Sequence, residues 1–142
     1  MELIRVTKEW QRAGVHFVRA AAMIREFGVD LEGEFAEDTP ESGYVLALDG
    51  NYPVSTCRLH YLDQKTGKIE RVATIGEYRH KGYGAAVIRE AEKWMQEQGV
   101  KKIMINSRTA AVKFYEKLGY IPDWNQKSGA GDFACVMVSR EL

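Results

Sequence analysis

The chain has 142 residues, with 20 Lys and Arg against 20 Asp and Glu, so its formal net charge is zero. That length accommodates one domain with a real core and not two, and residues 1–142 read as a single domain. Zero net charge, with 45% hydrophobic and 28% charged residues, argues against nucleic acid or an anionic membrane surface as a partner, so any anion site must be local.

Leu3, Ile4 and Val6 read as a first strand, and Thr7 as the N-cap of a helix running from Lys8 to Phe27 and ended by Gly28. Its apolar stripe includes Trp10, Phe17, Val18, Met23 and Ile24, and Gly14 interrupts it at a place suited to a bend. Residues 29–43 carry six acidic side chains and no basic one. Two readings are open for that segment: a solvated loop with a short helical turn, or a negative lip that attracts a cationic substrate. Tyr44 to Leu48, the Asp49-Gly50 turn, and the run from Val54 to Tyr61 form a β-hairpin pattern. A second turn at residues 63–67 leads to a fourth strand, which includes Ile69, Val72, Ala73 and Ile75.

That strand ends in a basic, Gly-rich turn, Arg79-His80-Lys81-Gly82-Tyr83-Gly84-Ala85, which opens into a helix with apolar residues at Val87, Ile88, Ala91, Trp94 and Met95. Backbone amides at a helix N-terminus converge on one point and carry the positive end of the helix dipole. Glycine lets phosphate oxygens approach them. A Walker loop is excluded because no Lys-Ser or Lys-Thr follows, and a dinucleotide fingerprint because Val87 stands where a third small residue belongs. Gly99 ends the helix; residues 101–106 form a strand, 109–118 a helix, and Tyr120-Ile121 and 133–140 the last strands. Cys57 and Cys135 lack metal-ligand spacing and read as reduced thiols, and no metal is expected. No apolar run reaches membrane-spanning or signal-peptide character, so the expected location is the cytoplasm.

The turn at residues 79–85 resembles the acyl-CoA signature of the GNAT acyltransferase superfamily, Arg/Gln-x-x-Gly-x-Gly/Ala after a strand. The stretch from Asn106 through Phe114-Tyr115-Glu116-Lys117-Leu118-Gly119 to Tyr120 is similar to the second signature of that family, with Tyr120 in place of its terminal Phe. Residues 18–38 also resemble the small bacterial ElaA-like branch. The resemblance implies an α+β GNAT fold: a mixed, mostly antiparallel sheet of six to seven strands with helices on both faces.

It also implies roles for individual residues. The backbone of Val72, Ala73 and Thr74 would pair with the pantetheine arm of acetyl-CoA. Arg79, His80, Lys81, Gly82, Tyr83, Gly84 and Ala85 would hold the pyrophosphate, and Asn106 and Tyr115 would face the thioester end. An amine of pKa about 10.4 must lose a proton before it attacks a thioester. Glu70, placed by simple alternation on the same face as Val72 and Thr74, is the candidate base, and the Tyr115 phenol the candidate acid for the departing thiolate. The expected partners are acetyl-CoA and an amine acceptor, expected to be cationic, with the protein a monomer or homodimer. The implied function is acetyl transfer to a primary amine; a catalytically silent acyl-CoA-binding sensor or interaction module is the alternative, and the presence of both Glu70 and Tyr115 favours catalysis.

Overall fold

The strand-like runs of the sequence assemble into one seven-stranded sheet in the computed structural model, which describes residues 1–142. In spatial order the strands, numbered along the chain, are β1 (Glu2–Arg5), β2 (Gly43–Asp49), β3 (Tyr52–Tyr61), β4 (Thr66–Thr74), β5 (Lys102–Arg108), β7 (Cys135–Glu141) and β6 (Ile121–Ser128). All neighbours are antiparallel except β4 and β5. Gly50, at φ +61°, supplies the left-handed residue that the tight β2–β3 turn requires.

Helices cover both faces, as the resemblance implied. On one face α1 (Glu9–Arg19) buries Val15 and Val18 against Ile4, Leu46, Ala73 and Ile75, and the short α2 (Leu31–Phe35) joins α1 through the Arg19–Glu34 ion pair. On the other, α3 (Tyr83–Glu97) buries Val87, Ile88, Ala91 and Met95 against Ile69, Ile103 and Ile105, and α4 (Val112–Lys117) adds Val112 and Tyr115. No helix is long and apolar enough to cross a membrane.

Three local readings change. The cap of α1 is Lys8, not Thr7: the Gln11 side chain accepts from the backbone N–H groups of Thr7 (2.8 Å) and Lys8 (2.9 Å), so the amides are satisfied without the Thr7 hydroxyl. Gly14 does not bend the helix. A Cβ there would lie 2.9 Å from Leu46 Cδ2, so glycine lets α1 approach β2 closely, and the helix widens instead into π-type turns at Ala20–Arg25.

The third change is in β4. Arg71 has φ +51°, and Cys57 faces both Arg71 and Val72 because the pairing passes from Arg58↔Glu70 to Thr56↔Ala73. This β-bulge reverses the alternation. Ile69 before it and Val72 after it both pack on the α3 side, while Glu70 points to the α1 side with Arg58 and Lys68. Glu70 is therefore on the face opposite Val72, not the same one.

Tyr120, the departure from the family pattern, has a structural reason. Its hydroxyl donates to Glu92 Oε2 at 2.7 Å, and Glu92 also receives Arg89 (2.9 Å) and Arg140 (2.8 Å) through Oε1. Burial, followed by the Glu92 hydrogen bond, pushes the Tyr120 phenol up, so it remains a donor. Tyr120→Phe leaves Oε2 of a buried carboxylate without its donor and should destabilise the fold by about 1–3 kcal/mol. Urea denaturation of Tyr120→Phe, Glu92→Leu and the double variant checks this. Purely additive losses would show that the two side chains do not interact.

Candidate active site

The parallel β4–β5 ladder runs from Thr66↔Lys102 to Ile69↔Ile105 and stops there. Beyond it β4 pairs only with β3, as far as Thr74↔Ser55, and β5 only with β7, as far as Arg108↔Cys135. The strands diverge, and the edge of β4 from Glu70 to Thr74 is open towards β5. A cleft of about 850 Å³ occupies the gap. It is lined by every predicted site residue except Lys81: Glu70, Val72, Ala73, Thr74, Arg79, His80, Gly82, Tyr83, Gly84, Ala85, Asn106 and Tyr115.

At one end of the cleft lies the Gly-rich turn. Gly82, at φ +88°, is the N-cap of α3, and the first helical amide with a backbone acceptor is Ala86, which donates to Gly82. The amides of residues 80–85 have no acceptor within the protein. His80 is also left-handed, at φ +62°. Such a run of free amides at the N-terminus of a 15-residue helix is an anion-binding concavity. Gly84 has ordinary φ; a Cβ on it would meet Phe114 and Thr74 at 3.5 Å. Arg79 adds less free charge than expected, because Glu26 accepts both of its terminal nitrogens (2.7 and 3.1 Å). Lys81 is exposed and stands over the Tyr78 ring at 5.5 Å.

Tyr115 is buried in the α3-side core, and its hydroxyl makes no hydrogen bond within the protein. Burial pushes its phenol well above the ordinary range, so it stays protonated and available as a donor at neutral pH. Asn106 and Glu70 belong to the opposite face. In β5 the residues Ile103, Ile105 and Ser107 are buried, which leaves Met104, Asn106 and Arg108 on the α1 side. Glu70 is held at 3.2 Å from Arg58 Nη2 and 3.5 Å from Lys68 Nζ.

The acidic stretch at residues 29–43 is less of a lip than its charge count suggests. Arg19 reaches Glu34 (2.9 Å) and Asp38 (2.5 Å), and Arg58 reaches Asp38 (2.6 Å) and Glu37 (3.3 Å). Asp30 caps α2 by accepting from Gly33 N–H. Glu34 is completely enclosed. Cations from α1, β3 and β4 thus pair with three of the six carboxylates, Glu34, Glu37 and Asp38, which no local count of charge could anticipate.

The profile of the acetyltransferase (GNAT) family matches residues 4–120. Over 123 residues the chain is 32% identical to the Bacillus subtilis protein BSU40680, described as an acetyltransferase, covering 84% of this chain and 83% of that one. The chain belongs to the GNAT acetyltransferase family. It is thus a transferase by descent and by fold. A crystal structure described as an N-acetyltransferase from Lactobacillus plantarum superposes with a TM-score of 0.90 at 26% identity, covering 99% of this chain and 97% of that one. Escherichia coli ElaA shares the fold, with a TM-score of 0.82 at 17% identity over 99% and 100% of the two chains. The paia N-acetyltransferase of Thermoplasma acidophilum, solved in complex with coenzyme A, has a TM-score of 0.74 at 13% identity over 100% of both chains.

This GNAT cleft also contains residues without a role in the sequence reading: Arg108, Phe27 and Phe133. Alternation from Asn106 was the available signal for Arg108. Phe27 and Phe133 lie 106 positions apart, and their ring contact, with centroids 6.1 Å apart, has no local signature.

Proposed function

We propose that this GNAT protein transfers an acetyl group from acetyl-CoA to a primary amine by direct attack. The observation that carries the reading is the run of amides at residues 80–85, which have no protein acceptor and lead into the N-terminus of α3. These would hold the pyrophosphate, with Gly82 and Gly84 allowing the approach. The open β4 edge at Val72, Ala73 and Thr74 offers backbone groups for the pantetheine arm to pair with as an added strand. Structures of the same fold with bound coenzyme A support this assignment.

The reaction forms a carbon–nitrogen bond and breaks a carbon–sulfur bond. Counted from the neutral amine, one proton leaves nitrogen and one reaches sulfur. In this reading Glu70, on the α1 side, takes the first proton directly or through water, and its pairing with Arg58 and Lys68 fixes where the carboxylate stands. Tyr115, on the α3 side, donates the second from an unpartnered hydroxyl. A backbone N–H near Val72 would stabilise the oxyanion, and Asn106 would orient the acyl end. Two groups on opposite faces of a split sheet can thus serve the two ends of the transfer.

Acetyl-CoA titration by calorimetry tests the cradle. A Cβ at Gly84 makes only ordinary contacts, so Gly84→Ala should bind acetyl-CoA nearly as the parent does. Gly84→Val adds two methyls at the phosphate approach and should weaken binding at least about tenfold while the fold persists. Equal affinity of the parent and Gly84→Val would refute the placement of the pyrophosphate. Release of free thiol on adding a panel of amines then tests transfer itself.

A further inference from the structure

Five basic side chains other than histidine line the cleft, and four of them face a carboxylate within 4 Å: Arg58, Lys68, Arg71 and Arg79. Arg108 faces none. Its guanidinium makes no hydrogen bond or ion pair within the protein, and its Nε is buried without a partner. Leaving such a donor unsatisfied is costly, so the fold does not keep it there for stability. Phe27 and Phe133 hold the group in place, their ring centres 4.9 and 5.8 Å from Cζ. The rings attract the cation without offering it an acceptor.

By alternation along β5, Arg108 shares a face with Asn106, and the Phe27 ring beside it also lies 6.0 Å from the Arg79 guanidinium. Tyr115 belongs to the α3 side, whereas Arg108 lies by alternation on the α1 side with Asn106 and the proposed base Glu70, and its charge reaches the Tyr115 hydroxyl across the cleft. Resting on the acetyl-transfer reading, we infer that Arg108 binds an anionic oxygen group of the acceptor, so that the acceptor is an amine that also carries a carboxylate. A guanidinium presents its donors in a planar fork that matches a carboxylate, and the flanking rings keep water from competing. The amine of the same molecule is then directed at Glu70. An acceptor of this kind is zwitterionic in water, which agrees with a cleft whose acidic wall is already neutralised by Arg19 and Arg58.

The test uses matched acceptors: amino acids against their decarboxylated amines, and phosphoethanolamine against ethanolamine. The wild-type protein should prefer the carboxylate-bearing member of each amino-acid pair. In Arg108→Gln the ratio of kcat/KM within those pairs should fall on the order of 100-fold, with Arg108→Lys in between because it keeps the charge and loses the fork. A preference confined to the phosphate pair overturns the carboxylate assignment. A ratio unchanged between wild type and Arg108→Gln overturns the inference entirely, as does turnover of no carboxylate-bearing amine. Acetyl-CoA calorimetry on the same proteins separates the two levels. A wild type that does not bind acetyl-CoA overturns the transfer reading, whereas one that binds it and acetylates amines without regard to Arg108 overturns only this inference.

Discussion

Tyr115→Phe should lower kcat by roughly two to four orders of magnitude and leave acetyl-CoA affinity nearly unchanged, because only a hydroxyl that acts in the transition state is lost. The ring itself is core: it packs edge-on against Phe114 and Tyr120 at centroid separations of 5.0 and 6.0 Å, and Phe preserves those contacts. The hydroxyl has no protein partner, so removing it strands no buried acceptor and should cost little stability. The pH profile sharpens the test. Burial raises the phenol pKa, so the donor form persists well above neutral pH and kcat should show no alkaline loss from this group up to about pH 9. Single-turnover measurements with saturating acetyl-CoA would settle the matter. Equal rates in the two proteins would mean that the thiolate leaves without help from Tyr115.

The parts of the site that were legible in the sequence are those encoded over short distances. The Gly-rich turn and the Asn106 to Tyr120 stretch are contiguous. The turn opens α3 as its pattern implies, and the stretch carries a strand end and a helix, although β5 runs on to Arg108 and α4 begins at Val112 after a 3₁₀ turn. The hairpin at Asp49-Gly50 was visible for the same reason. Glu70 was placed on the wrong face because the bulge occurs at Arg71, a residue that carries no mark of a left-handed conformation; a glycine there would have signalled it. The acidic stretch at residues 29–43 looked unpaired because its partners, Arg19 and Arg58, lie outside the segment by 10 or more positions on other elements. Arg108 falls inside the second signature, where the pattern gives it no role. What distinguishes it is the lack of a partner, and that is a property of the fold, not of the sequence.

Arg19→Leu should be the most destabilising of these substitutions, by about 3–5 kcal/mol, which for a chain of this size lowers Tm by roughly 10 °C or more. Arg19 is fully buried, donating to both the carboxylate and the backbone carbonyl of Glu34 (2.9 and 2.7 Å) and to both oxygens of Asp38 (2.5 and 2.9 Å). Leucine fills part of the volume but leaves the enclosed Glu34 with only Arg71, at 3.4 Å. The variant Arg19→Leu with Glu34→Leu should recover part of the loss, since it removes the stranded charge. The pH dependence carries its own sign. Burial pushes the Asp38 carboxyl up, but hydrogen bonds from Arg19 and Tyr44 outweigh it and hold the group at about 2, below its unfolded value of about 3.9. Its contribution is therefore complete above about pH 5 and is lost as pH falls through 4 towards 2. In the variant Asp38 loses its hydrogen bonds from Arg19, so the stability difference between the two proteins should narrow as pH falls from 5 to 2. Urea titrations at pH 7 and pH 3 that give the same difference would mean that Arg19 acts through packing alone. Because Asp38 bridges Arg19 to Arg58, and Arg58 holds Glu70 at the cleft, the same variant tests whether the wall of buried charge also fixes the proposed base. If it does, kcat/KM falls beyond the loss of folded protein, and Arg58→Leu reproduces that fall.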